Sequence, residues 1–337
     1  MTLNVLYPDA QFDGEPTIEA QVFGARAALT VYRPNQTAAI PDATWQACDA
    51  IVCYHDLMLD EALVPHLRRC RMIVRAGVGY DQIAIAACAA HGIPVCNTPD
   101  YGTTDVADHA IALTLALARG IVGYHTALKT DIAAGWDFMA APTVRRLSGQ
   151  VFGVVGLGRI GTATALRAKA LGMQVMFFDP YRPTGTELAL GLARLGSLDE
   201  LLAVADVVSL HTPLSDETRG MIDRAAVARM KPGMLLVNTS RGPVVDPDAV
   251  LDGLRSGRLA GAALDVLPVE PPVEPVPELL RLYRAREPWL EGRLVVTPHA
   301  AWLTPESEVD TRRKSAETMR AALLTNRPQN VITPEMY

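Results

Sequence analysis

The sequence has no apolar run long enough to cross a membrane. The longest, around Ala110 to Ala118, covers about half of the roughly 20 residues that a spanning helix needs. The opening residues, MTLNVLYPDA, lack the basic start, apolar segment and small-residue cleavage site of a secretory signal. Positive charge is not in surplus: the formal net charge is −6 and Lys and Arg are scattered, so nucleic acid is not expected as a direct partner. Cysteine is scarce. Cys48, Cys53, Cys70, Cys88 and Cys96 all lie in the first third, odd in number and without metal-type spacing. They read as reduced core thiols of a cytoplasmic protein. Neither a G-x-S-x-G elbow nor an H-E-x-x-H helix is present, and the histidines are dispersed. Serine or metal hydrolysis therefore finds no support, and no metal site is expected.

What is present is ordinary globular composition, 49% hydrophobic and 20% charged, which argues against disorder or a coiled coil. At about 150 residues per domain, 337 residues predict roughly two domains. Short β-branched runs alternate with helical stretches, the pattern of parallel sheets built from βαβ units. A first series comprises residues 4–10, 28–34, 50–55, 72–79 and 94–99, with helix-like segments such as 82–92 between them. A second comprises 151–156, 174–180, 206–212, 233–241, 261–266 and 294–299. Between the two lies a long apolar helical stretch, roughly 104–130, and after the second an amphipathic helix, roughly 305–324. Both are expected to link or cover domains. Residues 132–147 read as a surface loop. Residues 270–292 hold five prolines and a short amphipathic piece, and read as a long functional loop bordering the active-site mouth.

The segment GLGRIG, Gly156 to Gly161, fits G-x-G-x-x-G, a weak pattern alone. Here it follows an apolar strand, opens a helix, and is followed by a second strand ending at Asp179, 18 residues past the last glycine. Gly156 permits the tight turn, Gly158 lets the backbone approach a pyrophosphate, and Gly161 lets helix and strand pack closely. The helix N-terminus offers free N–H groups and positive dipole to phosphates. Asp179 is expected to accept hydrogen bonds from the adenosine ribose and to repel a 2′-phosphate, so NAD is favoured over NADP, with Arg182 nearby softening that preference.

In an open parallel sheet, ligands sit beyond the carboxyl ends of the strands. In the second series those ends carry His211 and Thr212, Thr239 to Arg241, Asp265 and His299, with Glu270 just past Asp265. An arginine, a histidine and an acid are the parts needed for hydride transfer to a carbonyl beside a carboxylate. Arg241 can clamp the carboxylate and polarise the carbonyl. His299 can exchange the hydroxyl proton near neutral pH, and Glu270 can orient its ring.

The chain also resembles a known family, the D-isomer-specific 2-hydroxyacid dehydrogenases. The motifs are RAGVGYD (Arg75 to Asp81), NTPDYGTTDVADHA (Asn97 to Ala110), GLGRIG, MKPGMLLVNTSRGPVVD (Met230 to Asp246), GAALDVLPVEPP (Gly261 to Pro272) and TPHAAW (Thr297 to Trp302). The resemblance implies that Arg241 binds substrate and polarises its carbonyl, that Glu270 partners the histidine, and that His299 is the acid/base. It implies that N–H groups at Val78 and Gly79 hold the substrate carboxylate. It further implies that Thr212, Thr239, Ser240 and Asp265 line the nicotinamide side, and that Gly158, Arg159 and Ile160 hold the pyrophosphate. The implied architecture is two doubly wound parallel-sheet α/β domains with an active-site cleft between them. One is a flavodoxin-like substrate domain, residues 1–101 completed by 304–337. The other is a Rossmann NAD-binding domain, residues 102–303. The helix near Asp105 to Arg119 is expected in a homodimer interface.

Within the family the likeness is closest to the C-terminal binding proteins, carried by CYHDLML (Cys53 to Leu59), LRAKALG, FFDPYRP (Phe177 to Pro183) and PHAAW. By that likeness Tyr54, His55, Arg75 and Trp302 line the substrate pocket; for Tyr54 and His55 a buried strand end is the alternative. The expected activity is reversible NAD-dependent interconversion of a small 2-oxo acid and its 2-hydroxy acid. The alternative is an NAD(H)-sensing interaction protein or co-repressor with incidental turnover. Glu270, where formate dehydrogenases carry Gln, argues against formate. A 3-phosphoglycerate substrate would call for extra cations, whereas Tyr54 and Trp302 suggest an aromatic wall and an apolar or modest side chain.

Overall fold

The computed structural model describes residues 2–333. They divide into two compact units: unit 1 is formed by the residues up to Gly102 together with those from Leu303 onward, and unit 2 is Thr103–Trp302.

Unit 1 is built on β1 (Leu3–Tyr7), β2 (Ala27–Val31), β3 (Ala50–Cys53), β4 (Ile73–Arg75) and β5 (Val95–Asn97), all parallel in the order β2-β1-β3-β4-β5. This is the flavodoxin-like winding. Alternate residues of the inner strands enter opposite cores, as the two-residue period of a strand requires. Leu6, Ile51, Cys53, Ile73 and Val95 face one apolar cluster, while Val5, Tyr7, Val52, Val74 and Cys96 face the other. Burial on both faces explains why the central strands read as unbroken apolar runs.

Unit 2 carries β6 (Val151–Val155), β7 (Gln174–Phe178), β8 (Ala193–Arg194), β9 (Val207–Leu210), β10 (Met234–Asn238), β11 (Leu259–Leu264) and β12 (Leu294–Val296). Their order, β12-β11-β10-β9-β6-β7-β8, reverses between β6 and β9, the switch point of a Rossmann sheet. The chain then re-enters unit 1, forms the helix Pro305–Thr325, and ends in β13 (Val331–Ile332), antiparallel to β5.

Three expectations need correction. The stretch 104–130 is not one helix but two, Thr103–Ala118 and Ile121–Thr130, bent by 59°. Gly120 takes φ +63 at the break, where a Cβ would lie 2.5 Å from that of Ala141, so the chain turns where only glycine fits. No single helix among the described residues is long and apolar enough to cross a membrane. The segment 270–292 is not an open loop throughout: it holds the helix Glu278–Arg284, whose Leu279 and Leu282, with Leu290, are buried in the core of unit 2. Their spacing places them on one helix stripe, and each fully buried leucine contributes about 2 kcal/mol. Finally, β8 and β13 are additional strands, each only two residues long and too short to show a period.

Candidate active site

The glycine turn leads from β6 into the helix Arg159–Ala170. Gly156 has φ +88, and a Cβ there would lie 2.8 Å from the His211 carbonyl oxygen. At Gly161 a Cβ would lie 2.0 Å from the carbonyl oxygen of Gly156. Neither position accepts a side chain. At Gly158 a Cβ would meet nothing within 4 Å, and no side chain caps the helix there. The N–H groups of Arg159 and Ile160 belong to the first turn, whose donors have no partner within the helix. An open cradle beside such donors fits a pyrophosphate.

Asp179 follows β7 and is buried. Its Oδ2 accepts the N–H of Leu157 at 2.8 Å and its Oδ1 that of Tyr181 at 2.9 Å; Arg182 Nε lies 3.4 Å from Oδ2. The carboxylate thus braces the glycine turn, while Oδ1, with one donor, retains a lone pair for a ribose hydroxyl.

At the end of β9, Thr212 is half-buried and His211 turns inward. Nε2 of His211 lies 2.9 Å from Ser209 Oγ, Nδ1 is buried without a hydrogen-bond partner among the described residues, and burial pushes the imidazole down to about 3. It is neutral, and unlike the other strand-end groups it joins no polar cluster. Beyond β10, Thr239 Oγ1 is likewise buried and unpartnered among the described residues, a hydroxyl in want of an acceptor or donor. Ser240 bonds Asn238 Oδ1 through both N–H and hydroxyl, and Asn238 Nδ2 donates to the Arg241 carbonyl at 3.0 Å. These bonds fix the turn that presents Arg241. A Cβ on Gly242 would lie 1.9 Å from the Leu267 carbonyl, so this turn rests directly on the chain leading to Glu270.

Asp265 follows β11 and is fully buried. Its carboxylate accepts the Thr297 hydroxyl at 2.6 Å and the N–H groups of Ala300 and Ala301 at 2.9 and 3.0 Å. It therefore holds the turn after β12, where His299 takes φ +53. Nδ1 of His299 lies 2.6 Å from Oε2 of Glu270, whose Oε1 accepts the N–H of Leu267 at 2.6 Å. Both side chains are only about a fifth to a quarter exposed, and a short bond to a carboxylate fixes ring orientation and tautomer. Trp302, half-buried, closes unit 2.

In unit 1 the remaining residues lie at the carboxyl ends of β3 and β4. Arg75 is buried; its Nη1 donates to the Ala76 carbonyl at 2.5 Å, and a Cβ at Gly77 (φ +155) would sit 1.4 Å from that nitrogen. Glycine is what lets the guanidinium lie there. Val78 and Gly79 are half-buried, and their N–H groups donate to nothing among the described residues. His55 is half-buried. Tyr54 is buried, its ring edge-on to Phe12 at 6.2 Å, and burial raises its hydroxyl well above the usual range. Tyr54 is thus a buried strand-end residue in this structure.

Three supporting residues are not among the expected site residues, although His109 and Thr297 lie within the motifs Asn97 to Ala110 and Thr297 to Trp302. Asp9, fully buried after β1, accepts the N–H groups of Tyr54, Asp56 and Leu57 and so shapes the turn carrying His55. His109, on the helix Thr103–Ala118, places Nε2 3.2 Å from Thr297 Oγ1 and 3.6 Å from Asp265 Oδ1. Thr297 joins the two.

Residues 111–301 match the family described as D-isomer specific 2-hydroxyacid dehydrogenase, NAD binding domain. The chain is 36% identical over 292 residues to a D-3-phosphoglycerate dehydrogenase of Mycobacterium leprae (strain TN), covering 86% of this chain and 51% of that protein. It thus spans about half the length of the curated relatives it matches. Among solved structures, a glyoxylate reductase from Paecilomyes thermophila is 27% identical, with a TM-score of 0.84 over 100% of this chain and 99% of that one. A D-lactate dehydrogenase from Aquifex aeolicus, complexed with NAD and lactic acid, is also 27% identical, with a TM-score of 0.81 over 96% of each chain. Specific likeness to the C-terminal binding proteins is not among these matches. The chain belongs to the D-isomer specific 2-hydroxyacid dehydrogenase family, and unit 2 contains its NAD-binding domain.

Proposed function

We propose that the protein is an NAD-dependent 2-hydroxyacid dehydrogenase, interconverting a small 2-oxo acid and its 2-hydroxy acid. The observation that carries this reading is the 2.6 Å contact of His299 with Glu270, beside the Arg241 turn at the carboxyl edge of a dinucleotide-binding sheet. NADH, when bound, supplies the hydride for C2. With Nδ1 held by Glu270, Nε2 of His299 is the atom that gives a proton to the substrate oxygen and takes it back in the reverse direction. Arg241 stabilises the charge developing on that oxygen, and its planar fork also suits the adjacent carboxylate. The open Gly158 cradle and the Thr239 hydroxyl serve the cofactor, and Asp179 favours NAD over NADP. Unit 1 is the substrate domain in this reading: the unused N–H groups of Val78 and Gly79, next to buried Arg75, suit a carboxylate.

The buried Tyr54 removes much of the argument for an apolar substrate side chain, and the M. leprae relative is named for D-3-phosphoglycerate. A phosphorylated three-carbon acid therefore belongs among the candidates with glyoxylate, pyruvate and hydroxypyruvate. A homodimer is part of the reading, supported by the exposed Ile132, Trp136, Phe138 and Met139. The test is loss of NADH absorbance with each of these oxo acids and phenylpyruvate. Turnover of at least one, falling about 100-fold or more in His299→Ala, is expected. NADH binding without turnover of any 2-oxo acid would overturn the reading.

A further inference from the structure

Two cysteines outside the proposed chemistry stand side by side in unit 1. Cys48 follows the helix Asp42–Ala47 at the entry to β3, and Cys70 lies just before β4. The residues after them are joined through the backbone, Arg71 N–H donating to the Asp49 carbonyl at 2.9 Å. Neighbouring parallel chains bonded in this way run about 5 Å apart. That lies within the roughly 4.4–6.8 Å between Cα atoms that a disulfide spans. Both side chains enter the same apolar cluster, where the Cys48 thiol donates to the Trp45 carbonyl at 3.2 Å and the Cys70 thiol to the Met72 carbonyl at 3.3 Å, and the two thiols are close enough for each to shift the other's ionisation. Both cysteines are reduced and buried, yet shallowly so, since Ala47, Arg69 and Arg71 beside them are exposed.

We propose that Cys48 and Cys70 are a reversible oxidation site, closed to an intramolecular disulfide by a hydroperoxide. The pair is asymmetric. The neighbouring Cys70 thiol holds the Cys48 thiol below its ordinary range against burial and the Asp49 carboxylate, whereas Cys70 is pushed up by Cys48 and by burial. Cys48 is therefore the attacking sulfur. Its thiolate displaces alkoxide (hydroxide, for hydrogen peroxide) from the peroxide oxygen. Cys48 becomes a sulfenic acid, and the leaving group takes up the Cys48 proton. The Cys70 sulfur then attacks the sulfenic sulfur and expels hydroxide, which takes the Cys70 proton and leaves as water. Two thiols are oxidised, one peroxide is reduced, and an external thiol reverses the reaction by exchange. The link would close residues 48–70, the segment that carries β3 and His55.

The experiment treats the full chain with hydrogen peroxide, then denatures, alkylates and counts thiols. The count is expected to fall from five to three, to return to five on reduction, and to leave one cross-linked peptide containing Cys48 and Cys70. Cys48→Ser is expected to keep all its remaining thiols. Five thiols after peroxide, an irreversible loss, a link to another cysteine, or thiol loss in Cys48→Ser would each overturn the proposal. The peptide map of the unaltered protein decides the matter even if the variant folds poorly.

Discussion

His299 donates its backbone N–H to the Asp265 carbonyl oxygen at 2.7 Å, while the Asp265 carboxylate gathers Thr297, Ala300 and Ala301 from the same turn. Four bonds to one buried residue hold a histidine at φ +53, a conformation that costs a non-glycine residue about 1–2 kcal/mol. The ring's aim at Glu270 depends on that turn, so Asp265 supports the proposed acid/base from behind.

Replacing Asp265 by Asn keeps the shape but turns an NH2 group towards hydrogens that now have no acceptor. Loss of about 10- to 100-fold in kcat is expected, as for other residues that orient a functional histidine through a hydrogen bond. A lower thermal midpoint should accompany it, with NADH affinity changed far less. Steady-state kinetics beside NADH titration checks this, and an unaltered kcat would detach Asp265 from the work of His299.

The two glycines Gly156 and Gly158 should separate folding from cofactor binding. Gly156→Ala forces a side chain to φ +88 and to within 2.8 Å of a carbonyl oxygen, so a loss of roughly 1–3 kcal/mol of stability is expected. Gly158→Ala, at φ −71 with open space ahead, should leave the thermal midpoint nearly unchanged. Its methyl would stand where a pyrophosphate must approach, so NADH should bind at least about tenfold more weakly. The same NADH affinity in Gly158→Ala as in the unaltered protein would place the dinucleotide elsewhere.

The sequence was most legible where structure is local. Strand, glycine turn, helix and acid follow one another within residues 151–179, and their spacing reports the Rossmann half directly. Arg241, Glu270 and His299 were readable because a parallel sheet puts the ends of β10, β11 and β12 side by side. Less was readable where one residue decides, as Gly120 does in bending an apolar stretch that is helical on both sides. The resemblance placed Tyr54 in the pocket, while its packing on Phe12 is a tertiary contact that no local pattern reports. Long-range pairings were not readable: His109 and Thr297 each lie in a recognisable motif, but they are 188 positions apart, and neither stands in a pattern that predicts the other.

His211 provides a pH signature of unit 2 that involves none of the proposed chemistry. Its imidazole is pushed from the ordinary 6.5 down to about 3 by burial, and Nδ1 has no partner among the described residues that could hold a second proton. Between those values the unfolded chain binds a proton that the native state refuses, so stability rises with pH across the interval and is lost as pH falls through it. The slope is at most about 1.4 kcal/mol per pH unit for one group. His211→Gln removes the titration while keeping a polar partner for Ser209. Urea unfolding of both proteins over a range of pH is the measurement. The unaltered protein should lose stability relative to the variant as pH falls from about 6.5 towards 4, whatever their difference at neutral pH. A constant difference would mean that His211 charges in the folded protein as readily as in the unfolded one.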